Sequence, residues 1–275
     1  MLPLLLPVPR KLSIVSSPIR LPEHAMISIS DHRLLFEAQM AQNALRQHAG
    51  LHWQIMAGRP AAGLALTVDD TLPHPQGYQI VIENGQATIA AKDAAGIYYG
   101  VCTFRQLLQH YGTALPDLTA DDFPDYPVRG VMLDISRDKV MTMETLYALV
   151  EMLAGWKMNQ LQLYMEHSFA YSQHKTVWKE ASPFTGQQIL ELDRFCRQHH
   201  IDLVANQNSF GHMERWLKHP EYKHLAECPD GFIGDFGDHM GERRPATSLN
   251  PIDPASIALM DGLYGELLPH FSVPV

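Results

Sequence analysis

Three stretches decide the fold: YPVRGVMLDISRD at 126–138, NQLQLYMEHSFAY at 159–171 and IDLVANQNSFGHMERWL at 201–217. Each carries a short apolar run and then turns polar and ionisable. Between them the pattern is helical. Leu146, Leu149, Val150 and Leu153 recur at i, i+3, i+4 and i+7, and Ile189, Leu192, Phe195 and Cys196 turn to one side. Thr185 and Gln188 make a capping box for the second of these helices. Strands are expected at 128–136, 160–166 and 201–206. A last helix is expected from Asp253, its cap, with Pro254 at the first position, to about Leu268. Such alternation means a parallel sheet. A closed (β/α)8 barrel takes about 250 residues. The segment 126–275 is long enough for about three βα units, an incomplete barrel of the TIM type.

Upstream, residues 10–115 read as a separate, small α/β domain. A helix is expected over 31–49, capped by Ser30 or Asp31 and ended by Gly50. LALTV at 64–68 is a strand. YQIVI and ATIAA flank Glu83-Asn84-Gly85-Gln86, and Asn-Gly between two such runs is a strong hairpin signal. Asp93 caps a helix reaching about His110, with Ile97, Val101, Phe104, Leu107 and Leu108 on its core face. Gly112, Pro116, Pro124 and Pro127 mark the boundary between the two regions.

Composition narrows the function classes. Apolar residues make up 46% and charged residues 19%, which is globular rather than disordered. A net charge of −9 with no basic cluster argues against nucleic acid as a partner. No stretch is long and apolar enough to span a membrane, and MLPLLLPVPR, broken by Pro3, Pro7 and Pro9, is a poor signal peptide. Cys102, Cys196 and Cys228 show no paired spacing, and the first two lie among apolar helical residues, so buried reduced thiols are expected. A cytoplasmic location is the expectation.

Taken together, these segments resemble glycoside hydrolase family 20, the β-N-acetylhexosaminidases. GYQIVIENGQATIAAKDAAGIYYGVCTFRQLL at 77–108 resembles the end of the family's small non-catalytic domain, and RGVMLDISRD at 129–138 the opening strand of its barrel. NQNSFGHMERW at 206–216 stands where the family has a Gly-His pair, and LNPIDP at 249–254 leads toward a fourth strand. YMEHSFAY at 164–171 is similar to the hexosaminidase D-type branch. The resemblance implies a glycosidase that removes terminal N-acetylhexosamine from a carbohydrate substrate by substrate-assisted, retaining hydrolysis. In that chemistry the substrate's acetamido oxygen attacks the anomeric carbon, an exception to the two-carboxylate scheme, and an acidic residue protonates the leaving oxygen. No cofactor is implied.

The resemblance also assigns residues. Arg129 matches an arginine that holds sugar hydroxyls, to which a guanidinium fork is suited. Asp134 lies near the C-terminal end of its strand, where barrel active sites form. Glu166 and His167 end the second strand in a place where the family pattern has an aspartate, and Glu166 is a candidate for a sugar hydroxyl. Asn206 ends the third strand and is a candidate pocket residue. His212 matches the histidine that helps to position the acid pair. Asn208 stands where many relatives have an aspartate, so a charge that would tune the histidine is missing. For Arg129, Asp134 and Glu166 the competing reading is an ordinary salt bridge or cap. Trp178, Tyr171 and Trp216 are candidates for sugar stacking, with core packing the commoner fate of an aromatic. His174 and His239 read as surface residues.

No Asp-Glu pair follows the third βα unit, and Asp261 and Glu266 both lie within a helix. The catalytic acid pair is thus expected to be absent from this chain, which reads as a truncated, inactive part of an intact enzyme. Two alternatives stay open: a non-catalytic sugar-binding remnant, and a metal-dependent barrel hydrolase using His and Glu, although their spacing matches no zinc signature.

Overall fold

The computed structural model describes residues 3–58, 62–137, 139–235, 237 and 240–273. The chain divides into two compact units, one of Met1–Arg129 with Met152–Met158, the other of Gly130–Glu151 with Asn159–Val275.

The first unit contains β1 (Lys11–Ile14), β2 (Ile19–Arg20), β3 (Met26–Ile29), α1 (Leu35–Ala49), β4 (Gln54–Ala57), β5 (Gly63–Val68), β6 (Tyr78–Glu83), β7 (Gln86–Ala91), α2 (Ala94–Tyr111), β8 (Ala114–Leu115) and β9 (Leu118–Asp122). Seven of these strands form one mixed sheet in the order β1-β9-β6-β7-β5-β3-β4. In β6, Tyr78, Ile80 and Ile82 are buried while Gln79, Val81 and Glu83 are exposed, the period of two expected of a half-covered sheet. α1 and α2 pack on one another and on the sheet, closing a core of Ile27, Leu45, Leu64, Leu66, Ile89, Ile97, Phe104 and Leu108. The hairpin turn at Asn84-Gly85 has φ of 50° and 74°, and Gly50 ends α1 at φ 68°, both as their residues require. Asp31 caps a single 3₁₀ turn, His32–Leu34, that leads into α1, so the helix proper starts later than the sequence suggests. Leu118–Asp122, read from its prolines and glycine as part of a connector, is a strand in the middle of the pairing between β1 and β6.

The second unit contains β10 (Gly130–Asp134), α3 (Met143–Gly155), β11 (Gln160–Met165), α4 (Lys175–Trp178), α5 (Gly186–Gln198), β12 (Asp202–Gln207), α6 (Glu214–Leu217), α7 (Pro220–Lys223), β13 (Phe232–Ile233), β14 (Arg243–Arg244) and α8 (Pro254–Leu267); the last turn of α3 groups with the first unit. β10, β11 and β12 lie in that order in one parallel sheet, Gly130 opposite Gln160 and Leu161 opposite Leu203. The architecture is therefore mixed α/β with a partial, unclosed barrel. The capping box at Thr185 and Gln188 forms, and Asp253 caps α8 through Ala255 N at 2.9 Å. Leu161, Leu163, Met165 and Leu203 form the buried face, while Met132 on the other face is 60% exposed. The open face also carries Gln162 and Asn206. β10 is shorter than the expected 128–136: Ile135 and Ser136 have left the ladder, though Ile135 N still reaches Tyr164 O at 3.1 Å.

Candidate functional site

Parallel strands that end together bring their C-terminal residues together. Asp134 ends β10, Glu166 follows β11, and Asn208 and His212 follow β12. Glu166 is the buried centre, 4% exposed. Its main chain is pinned on both sides: Ser136 Oγ accepts from Glu166 N at 2.6 Å, and Glu166 O accepts from Trp216 Nε1 at 2.6 Å and from Gln207 Nε2 at 3.2 Å. Its carboxylate accepts from Tyr164 Oη at 3.0 Å and stands 3.8 Å from both Arg137 Nε and His212 Nδ1.

Arg137 is the link between the first two strands. Its Nε donates to Asp134 Oδ2 at 2.7 Å, its main-chain N to Asp134 Oδ1 at 3.2 Å, and its guanidinium carbon lies 5.2 Å from the Tyr164 ring centre. Partial burial works to lower the arginine's proton affinity, but the Asp134 hydrogen bond and the charges of Asp134 and Glu166 outweigh it and hold the guanidinium above its ordinary value. A fixed cation thus lies beside two carboxylates. His212 adds an imidazole 57% exposed on a residue at φ 55°, a conformation that side chains other than glycine rarely take. The loop is held there by Met213 N to Thr247 O at 2.8 Å and Leu249 N to Phe210 O at 2.9 Å.

Of the sequence-predicted residues, Asp134, Glu166 and His212 come together. Asn206 does not join them directly. Its Nδ2 donates to Gln162 Oε1 at 3.3 Å and to Met132 Sδ at 3.4 Å, inside the strand region on the open face. Arg129 is occupied within the first unit: Nε donates to Lys157 O at 2.8 Å, Nη1 to Tyr126 O at 2.8 Å, and Nη2 to Tyr99 Oη at 3.2 Å. The fork expected to hold sugar oxygens binds protein oxygens instead. Arg137, eight residues on in the same stretch and not singled out from the sequence, is the guanidinium that meets Asp134 and Glu166. Tyr164 and Ser136 were likewise missed. The available signal was position alone, since both sit where a parallel strand ends.

Tyr171 and Trp216 are fully buried, so the core reading holds for both, and Trp178 is half-buried with Nε1 on Tyr171 O at 2.8 Å. His174 is not a surface residue. It lies half-buried against Tyr171, Trp216 and Tyr222, with Nδ1 2.8 Å from Tyr222 Oη, because the residue just ahead of α4 meets one ring from α6 and one from α7. His239 lies outside the described residues. Glu266 accepts from Ser172 N at 2.6 Å, and Asp261 is exposed on α8, so neither stands at a strand end. Cys102 and Cys196 are buried free thiols, pushed by burial up to about 11 and about 12. Among the described residues no three His, Cys, Asp or Glu side chains gather as metal ligands. Nor is any described helix long and apolar enough to cross a membrane.

Known proteins share both the sequence pattern and the fold. Residues 2–123 match the model of glycosyl hydrolase family 20, domain 2, and residues 126–275 that of the glycosyl hydrolase family 20 catalytic domain. A beta-N-acetylhexosaminidase of Cellulomonas fimi is 30% identical over 121 residues, 42% of this chain and 24% of that relative. Beta-hexosaminidase subunit A1 of Dictyostelium discoideum is 24% identical over 214 residues, 71% of this chain and 37% of that relative. The chain therefore spans only about a quarter to two fifths of these relatives' length. The fold is that of the Streptomyces plicatus N-acetyl-beta-hexosaminidase bound to Thio-NAglucal, with a TM-score of 0.78 at 21% identity, covering 98% of this chain and 57% of that one. A family 20 exo beta-N-acetylglucosaminidase from Vibrio harveyi, in complex with N-acetylglucosamine, gives 0.79 at 17% identity, covering 98% and 45%. With both regions matched in order, the chain belongs to glycosyl hydrolase family 20.

Proposed function

We propose that this chain forms the sugar-recognising part of a glycosidase that removes terminal N-acetylhexosamine with retention of configuration. The observation that carries it is the meeting of Arg137, Glu166 and His212 at the ends of three parallel strands. A sugar ring presents vicinal hydroxyls, each both donor and acceptor. A guanidinium beside a carboxylate supplies donors and acceptors together, and a charged partner strengthens each bond. Asp134 holds Arg137 in place through Nε, a bond that does not use the terminal nitrogens. Arg137 takes the role first expected of Arg129, and Asn206 lines the open face beside the cluster. Membership of family 20 and the N-acetylglucosamine held by the Vibrio harveyi neighbour support an N-acetylated substrate.

In the substrate-assisted scheme the acetamido oxygen displaces the leaving group, whose oxygen takes a proton from an enzyme carboxylic acid. The role assigned to the described residues is a hydroxyl clamp and not that proton donor: Glu166 lies beside Arg137, His212 and the Tyr164 hydroxyl, and Asp261 and Glu266 sit on α8. The 275-residue chain should therefore bind sugar without turning it over, since lost proton donation alone costs about 10²–10⁴-fold in rate. The test is N-acetylglucosamine binding by calorimetry beside hydrolysis of 4-nitrophenyl N-acetyl-β-glucosaminide. Binding lost in Glu166→Gln, with no hydrolysis, supports the reading. Hydrolysis abolished by Glu166→Gln would make Glu166 the acid, and absence of binding would leave a structural remnant.

A further inference from the structure

The hydroxyl of Tyr164 has a fixed polarity. Asn208 Nδ2 approaches it at 2.6 Å, and an amide nitrogen can only donate. The phenol oxygen therefore accepts from Asn208, and its own proton is committed to Glu166 Oε1 at 3.0 Å. The chain Asn208 to Tyr164 to Glu166 runs in one direction and ends on a carboxylate. It crosses from the loop after β12 to the end of β11, joining the loop that carries His212 to the group His212 faces. The ring itself is fixed: Tyr164 is 9% exposed, the Arg137 guanidinium lies over its face, and the His212 ring meets it edge-on with centres 6.5 Å apart. Among the described residues, the charged groups around this ring are Glu166, Arg137, Asp134 opposite it in the strand register and, when protonated, His212.

We propose that Tyr164 is a positioning residue whose hydroxyl, oriented by Asn208, fixes the Glu166 carboxylate between Arg137 and His212 so that it can receive a sugar hydroxyl. The proposal rests on the reading of the cluster as a sugar site. A carboxyl group that is free to rotate about its last bond would share its oxygens among three neighbours. With Oε1 held by Tyr164, one orientation is kept before the ligand arrives, and less ordering is left for the ligand to impose.

Two measurements on the 275-residue chain test this. The first needs no sugar: NMR of ring-labelled tyrosine follows the ionisation of Tyr164 into alkaline pH, with the methyl spectrum confirming the fold. Burial raises that ionisation, the Asn208 hydrogen bond lowers it, and the Glu166 hydrogen bond and charge raise it. Glu166→Gln should therefore bring the Tyr164 midpoint down and Asn208→Ala should push it up. Shifts in the same direction, or none, overturn the proposal. The second is N-acetylglucosamine affinity at neutral pH. Tyr164→Phe and Asn208→Ala should each weaken binding by about tenfold, and the double variant by no more than either alone, because both act through Glu166. Additive losses, or wild-type affinity in Tyr164→Phe, overturn it. Opposite shifts in a chain that binds no sugar would sink the sugar-site reading and leave the hydrogen-bond relay standing. Binding without the opposite shifts would do the reverse.

Discussion

Arg137 Nε and Glu166 Oε1 stand 3.8 Å apart, although one residue follows β10 and the other follows β11. They meet because parallel strands paired in register end side by side, and because Asp134, opposite Tyr164, draws the arginine back over the strand ends. If that pair is the hydroxyl clamp, Arg137→Met should weaken N-acetylglucosamine binding at least about tenfold, the value of one charge-assisted hydrogen bond. Arg137→Lys should recover only part, since an ammonium lacks the fork. Arg129→Met should leave sugar affinity unchanged and lower the denaturation midpoint instead. The reverse outcome, with binding lost at Arg129 alone, would return the role to the residue the sequence pattern picked.

That pair of arginines shows what the sequence can and cannot display. Both lie in RGVMLDISRD, and nothing in the letters says which way each guanidinium turns. Arg129 is taken up by a main-chain oxygen of Lys157, 28 residues away, a contact that exists only once the chain has folded. The three parallel strands and their helices were legible because apolar residues recur along each, and because α5 and α8 begin at strong caps. β3 and β4 were not, because four-residue strands carry too little pattern to be told from a loop. MISI becomes a strand by pairing with β5 and β4, and QIMA by pairing with β3. β9 was hidden by the prolines on either side of it, Pro116 and Pro124, which bound the strand rather than interrupt it.

Lys157 Nζ is buried against Asp122 Oδ2 and Tyr78 Oη, both at 2.8 Å. Burial lowers the proton affinity of this lysine, and the Asp122 charge and hydrogen bond work against that. Asp122→Asn leaves a buried charge unpaired and should cost about 3–5 kcal/mol of stability. Removing both charges, as Lys157→Met with Asp122→Asn, should recover much of it. Urea denaturation of the four proteins checks this. A double variant as unstable as the sum of the singles would show that the two groups act independently.

Gly96 lies in the first turn of α2, where that helix meets the main chain at Gly77. A Cβ there would overlap Gly77 O and lie 2.7 Å from Ala91 Cβ. Since the obstacle is main chain at one side and a buried methyl at the other, neither can swing away. Gly96→Ala should destabilise the first unit by about 1–3 kcal/mol, despite alanine's better helix propensity. A gain in stability on thermal denaturation would mean that α2 stands farther from the sheet.

His167 gives the expected acid response. It follows Glu166, is 9% exposed, and its Nδ1 has no hydrogen-bond partner among the described residues. Burial, together with the charges of Arg215 and Lys218, pulls it from 6.5 down to about 4. The unfolded chain takes up this proton near 6.5, the folded chain only near 4. Between those values the unfolded state binds more protons, so stability must fall as pH falls. The contribution of a neutral His167 is fully present above about 6.5 and is lost progressively down to about 4. His174 and His199, also lowered by burial, act in the same sense. His167→Gln should therefore flatten the pH dependence of the urea midpoint in this window without abolishing it. Equal slopes in wild type and variant, or an imidazole that titrates near its ordinary value by NMR, would show that the ring is hydrated in the folded chain.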